Sequence, residues 1–348
     1  MILNAYAVLD AFLTLLRFGL SLLVLVLGAG AWGAWVRGAR DPEGRRRLED
    51  RCYLLFLLAG LLLWLNVASW PLFYLVLQSY VPEWPGVMCI YGVTRIGTGS
   101  EGPARFLPPL VTAVQAAKSA LIFLSGAWFA LYLLNRRTRT APLTGRVLVL
   151  VLAAGLLAAG DAAAEAAYLA IPKKEKFFSA GCCAEVFDAE SGSSRLLPHA
   201  LFGADQAPHL YAAYYGVNGA MVLALGLCSR LWRRRAAPLT LVPLLLGAAL
   251  ALAVNAVFVV EVAAPRLLHL PFHHCPYDLV PGAPESLLGV ALFLLGTFAV
   301  GWACVVGWGG RSAEAAPFLP RTVARLLYLA LLGYLWSMTM ISLELALA

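Results

Sequence analysis

Eight stretches of this chain are apolar for long enough to cross a bilayer, and nothing else in the sequence narrows its fold so far. They cover residues 10–36, 52–80, 109–134, 147–171, 207–231, 239–263, 286–308 and 322–346. A helix spanning the hydrocarbon layer needs about 20 residues. Lipid offers no partner for backbone polar groups, so such stretches satisfy their own N–H and C=O groups as helices. Composition agrees: 61% of the 348 residues are hydrophobic, 13% are charged, and mean hydropathy is +0.79. A soluble domain has about 45–50% apolar and about 25% charged residues. The expectation is an all-α, polytopic helical bundle, with residues 1–348 forming a single membrane domain. No polar stretch exceeds roughly 35 residues, too few for a core of its own.

The charges predict orientation. MILNAYAVLD, ahead of the first apolar run, holds no Lys or Arg, and RGARDPEGRRRLEDR follows that run. A secretory signal peptide has the reverse order and a shorter apolar core, so the first run reads as a retained helix. Of the 26 Lys and Arg, 17 fall in or beside the loops at 37–51, 135–146, 230–238 and 309–325. Positive charge gathers on the cytoplasmic side of short loops. That places both termini outside, with outer loops at 81–108, 172–206 and 264–285, as in a bacterial inner-membrane protein. The same distribution accounts for the charge of +7 and the pI of 9.1 without a nucleic-acid partner; the partner it implies is the lipid bilayer.

With this orientation the reactive side chains collect on the outer side. All five histidines lie there (His199, His209, His269, His273, His274), as do Cys89, Cys182, Cys183 and Cys275. Imidazole, thiol and carboxylate are the groups that bind metals or exchange protons and electrons near neutral pH. One reading makes the four cysteines redox-active. A second makes His273, His274 and Cys275 metal ligands, and mixed imidazole and thiolate donors favour zinc or copper over magnesium or calcium. A third is structural, because the outer compartment is oxidising. Adjacent cysteines rarely bond each other, so Cys182 and Cys183 would each reach to Cys89 or Cys275. Cys52, Cys228 and Cys304 read as small apolar fillers.

Ionisable residues also occur inside the spans: Arg17, Lys118, Asp161, Glu165 and Glu261, all toward the outer ends. On insertion scales each costs about 2.5–3.5 kcal/mol at the bilayer centre, and such residues face the bundle interior beside a partner. Asp161 and Glu165, four apart, share one helix face, with Lys118 and Arg17 as available counter-charges. Lys118, Asp161 and Glu165 are expected to line an intramembrane polar cavity, buffering charge or carrying protons. Asn66, Asn218 and Asn255 add polar groups to three spans, and PKKEKFF at 172–178 reads as an interfacial anchor.

Absent motifs narrow the chemistry. There is no H-E-x-x-H, G-x-S-x-G or Walker A sequence, so zincin, serine-hydrolase and P-loop activities have no support. Five methionines make no thioether copper relay. Cysteines in the outer loops of a helical bundle give an arrangement that resembles the quinone-linked disulfide oxidases and vitamin K epoxide reductases. Those families use a C-x-x-C that this chain lacks. A repeat is suggested by Cys-bearing loops between spans two and three, four and five, and six and seven; Cys89-Ile-Tyr91 is echoed by Cys275-Pro-Tyr277. The function expected is thiol-redox or metal-linked work at the outer face. The alternatives are a non-catalytic membrane subunit, its outer loops stapled by disulfides for an extracytoplasmic protein partner, and a small-solute transporter. Transport fits least, because the inner halves of the spans carry little polarity.

Overall fold

A computed structural model describes residues 4–37, 42–84, 87–173, 186–189, 194–197, 206–234 and 236–348, with side chains in the second helix taken from Leu48 onward. Cys182, Cys183 and His199 lie outside the described residues, and with them any pairing of those two cysteines. Among the described residues eight helices are long and apolar enough to cross a membrane, which makes the chain a multi-pass integral membrane protein. They are α1 (Ala5–Arg37), α2 (Pro42–Tyr80), α3 (Leu107–Asn135), α4 (Thr144–Ala170), α5 (Ala207–Arg234), α6 (Leu241–Phe258), α7 (Ser286–Gly309) and α8 (Leu319–Leu347). The described residues contain no β-strand, only an isolated bridge between Asp188 and His273. Several helices outrun the apolar stretches. Prolines in the first turn start α3 and α8 early, and Arg37 closes α1. Pro71 sits within α2, which continues through it.

The chain forms two compact units, residues 1–180 and 181–348. In the first, α1 packs on α2, α2 on α3, α3 on α4, and α4 back on α1. In the second, α5, α6, α7 and α8 close the same four-membered ring. Each is an up-and-down four-helix bundle, the arrangement that short connections between antiparallel neighbours produce.

The packing rests on one stripe per helix. α1 buries Ala7, Asp10, Thr14, Arg17, Ser21, Val24, Gly28 and Ala31, alternating steps of three and four residues. α4 does the same with Val147, Val151, Ala154, Ala158, Asp161, Glu165 and Tyr168. α7 follows with Gly289, Phe293, Gly296, Val300, Ala303 and Gly307. This is heptad spacing, which sets knobs into holes at small crossing angles. The stripes are small or polar while Leu9, Phe12, Leu15, Leu22 and Val26 of α1 face outward. Lipid is as apolar as leucine, so burial of leucine does not hold such helices together; close approach and polar contacts do. The tightest approach joins α7 and α8. A Cβ added at Gly333 would stand 2.7 Å from the Gly296 Cα and 2.8 Å from the Leu292 carbonyl oxygen.

Candidate functional site

In the first bundle all four helices contribute to one buried charge network. Arg17 of α1 donates from Nη1 to Glu165 Oε2 at 2.7 Å, from Nη2 to Asp161 Oδ2, and from Nε to Asn66 Oδ1 at 3.0 Å. Lys118 of α3 donates to Glu165 Oε2 at 2.9 Å, Asp161 Oδ2 at 3.3 Å and Ser69 Oγ at 3.2 Å. Its ammonium also lies 5.5 Å from the centre of the Phe73 ring. None of the four charged residues is more than 1% exposed. Two cations facing two carboxylates form a neutral set, the condition under which charges persist away from water.

Asp10 breaks that neutrality. It is 0% exposed and close enough to interact electrostatically with Glu165, Lys118 and Arg17. Neither of its oxygens meets a donor among the described residues, and the same holds for Asp161 Oδ1 and Glu165 Oε1, while Thr14 Oγ1 and Tyr80 OH also lack partners there. The Asp10 carboxyl instead faces that of Glu165, where a hydrogen bond needs one of the two to carry a proton. The site therefore holds three carboxyl groups against two cations, with acceptors in excess of donors. Beyond Asp10, toward the end where α1 begins and α4 ends, Tyr80 and Tyr168 are both buried. Lys173 stacks over their rings at 5.6 and 4.3 Å, and its ammonium donates to the Tyr168 and Ile171 carbonyls at 2.6 and 3.3 Å. It is only 4% exposed, where an interfacial anchor would carry it in the headgroups, and burial pulls its pKa down to about 8.

Charge among the described residues of this bundle's buried seam stops at the level of Arg17. Inward of it the buried polar groups are neutral: Ser21, Ser125 and, at the inner end, Asn135 bonded to Thr144 at 3.0 Å. Beyond Ser21, whose hydroxyl is bonded to the Phe18 carbonyl, the α1 stripe continues as Val24, Gly28 and Ala31. The α4 stripe on that side is Val147, Val151, Ala154 and Ala158.

In the second bundle α6 runs into a π-helical turn, Val259–Ala263, and then a last turn, Ala264–Leu267. π-turns are rare and disfavoured, and they re-aim side chains. Here the turn carries Glu261, whose side chain is fully buried. Its carboxylate accepts the Arg195 N–H at 3.1 Å and the Leu196 N–H. His274 Nδ1 lies 3.4 Å from Glu261 Oε2 and 3.1 Å from the Val260 carbonyl oxygen. His274 is buried, and its Nε2 has no partner among the described residues.

His273 is gripped from both sides, by Asp188 at Nδ1 (2.5 Å) and by Asp278 at Nε2 (2.6 Å). Burial works against the imidazolium, but these two hydrogen bonds and charges outweigh it and raise the His273 pKa. Backbone bonds from Ala189 N to Phe272 O (2.8 Å) and His274 N to Phe187 O (3.1 Å) join the same segments. Cys275, 0% exposed, precedes the 3-10 turn Pro276–Asp278, and its sulfur lies within 4.8 Å of an Asp278 carboxylate oxygen.

The structure thus brings Lys118, Asp161 and Glu165 together with Arg17, and places His273, His274 and Cys275 on one buried turn with both His273 nitrogens already engaged. In the first bundle Cys89, 2% exposed, occupies the N-cap position of the short helix Ile90–Arg95. His209 begins α5 exposed, and His269 is exposed in the left-handed region at φ 55°. Sequence reasoning missed Asp10 and Asp188. Asp10 had a signal, since it stands seven residues before Arg17 on the same stripe; Asp188, in an isolated bridge, had none. No family model, curated protein or solved structure matches this chain.

Proposed function

We propose that this is a bacterial inner-membrane protein whose first bundle binds and exchanges a proton with the extracytoplasmic side, the side that the cysteine- and histidine-bearing loops also face. The excess carboxyl carries the reading: Asp10, Asp161 and Glu165 share a buried site in which Arg17 and Lys118 are the cations acting on Asp10 among the described residues. An uncompensated buried charge costs several kcal/mol, and one bound proton removes it. Proton release then requires the site to open or to gain a cation. The arginine-rich loops put the Tyr80 and Lys173 end outside, and the apolar stripes beyond Arg17 close the inner side. A site served from one side suits proton supply to outer-face chemistry better than passage through the bilayer.

Infrared difference spectroscopy of the protein in nanodiscs tests this. A protonated-carboxyl band that shifts in D2O and vanishes in Asp10→Asn is expected. A native spectrum without that band, or one unchanged when Asp10, Asp161 and Glu165 are replaced in turn, would refute the reading.

Thiol-redox or metal-linked work at the outer face is the second reading, favoured by the proximity of Cys275 to Asp278. Zinc or copper on His273, His274 and Cys275 would have to displace a carboxylate from His273, since both its nitrogens are taken. Elemental analysis of purified protein decides it: a stoichiometric metal lost in Cys275→Ser supports the site, and metal-free protein removes it.

A further inference from the structure

The two bundles share more than their helix order. Counted from the first residue of their helices, Arg17 of α1 and Asn218 of α5, and Asp161 of α4 and Ser337 of α8, agree to within one residue. The contacts repeat as well. Asn66 of the second helix accepts from Arg17 of the first at 3.0 Å, and Asn255 of α6 donates to Asn218 of α5 at 3.2 Å. Each bundle also carries a buried cysteine at the start of a short turn ahead of its third long helix, Cys89 and Cys275. The two bundles thus place polar groups at matching depths on two of their helices, and each joins its first helix to its second through an asparagine.

The bundles differ at the matching place in the seam. The first is filled by its charge network. The second is uncharged there and hollow, with a cavity of about 300 Å³ bordered by Tyr214, Asn255, Phe258, Phe293, Ser337 and Ile341. Asn255 has both amide hydrogens spent, on Asn218 Oδ1 and the Ala251 carbonyl, so it offers no donor to a ligand. Tyr214 is stacked flat on Phe258, with ring centres 4.1 Å apart. Along α6 the wall runs from Leu252 to Val260, about 12 Å of helix at about 1.5 Å per residue. Pro276, in the turn after Cys275, also borders it, and Leu252, which is 45% exposed, and Ala256 open it sideways. An apolar cavity of this kind stays dry and takes apolar guests. Its size is at the low end for ligand sites, which suits part of a chain and excludes a whole lipid.

We propose that the hollow in the second bundle is a binding site for one hydrocarbon chain of a membrane phospholipid, drawn from the leaflet on the side of the 264–285 loop. The wall lies within the membrane-spanning length of α6, α7 and α8 and opens to the side, where acyl chains are the surrounding solvent. Asn218 and Ser337 stand where the first bundle has Arg17 and Asp161, so the second site has neutral groups in place of ions beside its apolar wall.

The test uses the full chain in nanodiscs of phosphatidylcholine doped with an analogue carrying a photoreactive diazirine midway along one acyl chain. Cross-links are expected to concentrate on the peptides covering 252–260 and 290–294, several-fold above the lipid-facing 12–26 segment of α1. Filling the cavity with Ala256→Phe or, separately, Val290→Trp is expected to return labelling to the α1 level while leaving the helical circular dichroism unchanged. Even labelling along all eight helices, or concentrated labelling that survives both folded variants, would overturn the proposal.

Discussion

Replacing Arg17 with methionine keeps most of the side-chain volume and removes the charge. The variant loses the bonds to Glu165 (2.7 Å), Asp161 and Asn66 (3.0 Å), and leaves three carboxyl groups facing Lys118 alone. Removing one partner of a buried ion pair costs about 3–5 kcal/mol, chiefly through the charge left behind. The single variant should lose that much in reversible unfolding by titration with SDS in mixed micelles. The double variant Arg17→Met/Asp161→Asn removes one charge of each sign and restores the native excess of a single carboxyl group, Asp10 and Glu165 facing Lys118. It should be more stable than the sum of the single changes implies, by about 2 kcal/mol, within the range of coupling between contacting residues. A loss under about 1 kcal/mol in Arg17→Met, or strict additivity in the double variant, would refute the claim that pairing of these buried charges holds the bundle together.

Three further outcomes are expected. The depressed Lys173 pKa means the unfolded chain binds the extra proton between about 8 and the ordinary lysine value of 10.5. Stability should therefore rise with pH across that window, and Lys173→Gln should flatten the slope in unfolding titrations at stepped pH. The raised His273 pKa has the opposite sign. Its clamp contributes fully below about 6.5 and fades as pH rises through the raised value, so amide exchange at Ala189 and His274 should quicken with that rise beyond the intrinsic rate. Asp188→Asn should weaken the pH dependence, since Asp278 still holds Nε2, and Asp188→Asn/Asp278→Asn should abolish it. Gly333→Ala places a methyl group against the backbone of α7 with no flexible atom to yield. It should cost about 1–3 kcal/mol in thermal unfolding, whereas Gly30→Ala, with open space around it, should be neutral or mildly stabilising.

What the sequence reveals and what it hides divide along physical lines. Lipid leaves a chain few choices, so eight apolar runs become eight spans, and ionisable residues within them must find one another; Arg17, Lys118, Asp161 and Glu165 do. Asp10 escaped because it sits at the edge of its apolar run, where a carboxylate passes for an interfacial residue. α1 begins five residues earlier, at Ala5, and its stripe carries Asp10 inside. The knot around Glu261 depends on Asp188, Arg195 and Leu196, brought in by a loop with no periodicity to read. The likeness between the two bundles is hidden for a further reason. What the two bundles hold in common is the position of polar groups along the seam, and their identity differs, arginine against asparagine and aspartate against serine. A seam that must close without leucine-driven association fixes where polarity can stand, and leaves its charge open to differ between bundles. The first bundle satisfies that constraint with ions. The second satisfies it with neutral amides, and the space this leaves is where an apolar ligand can enter.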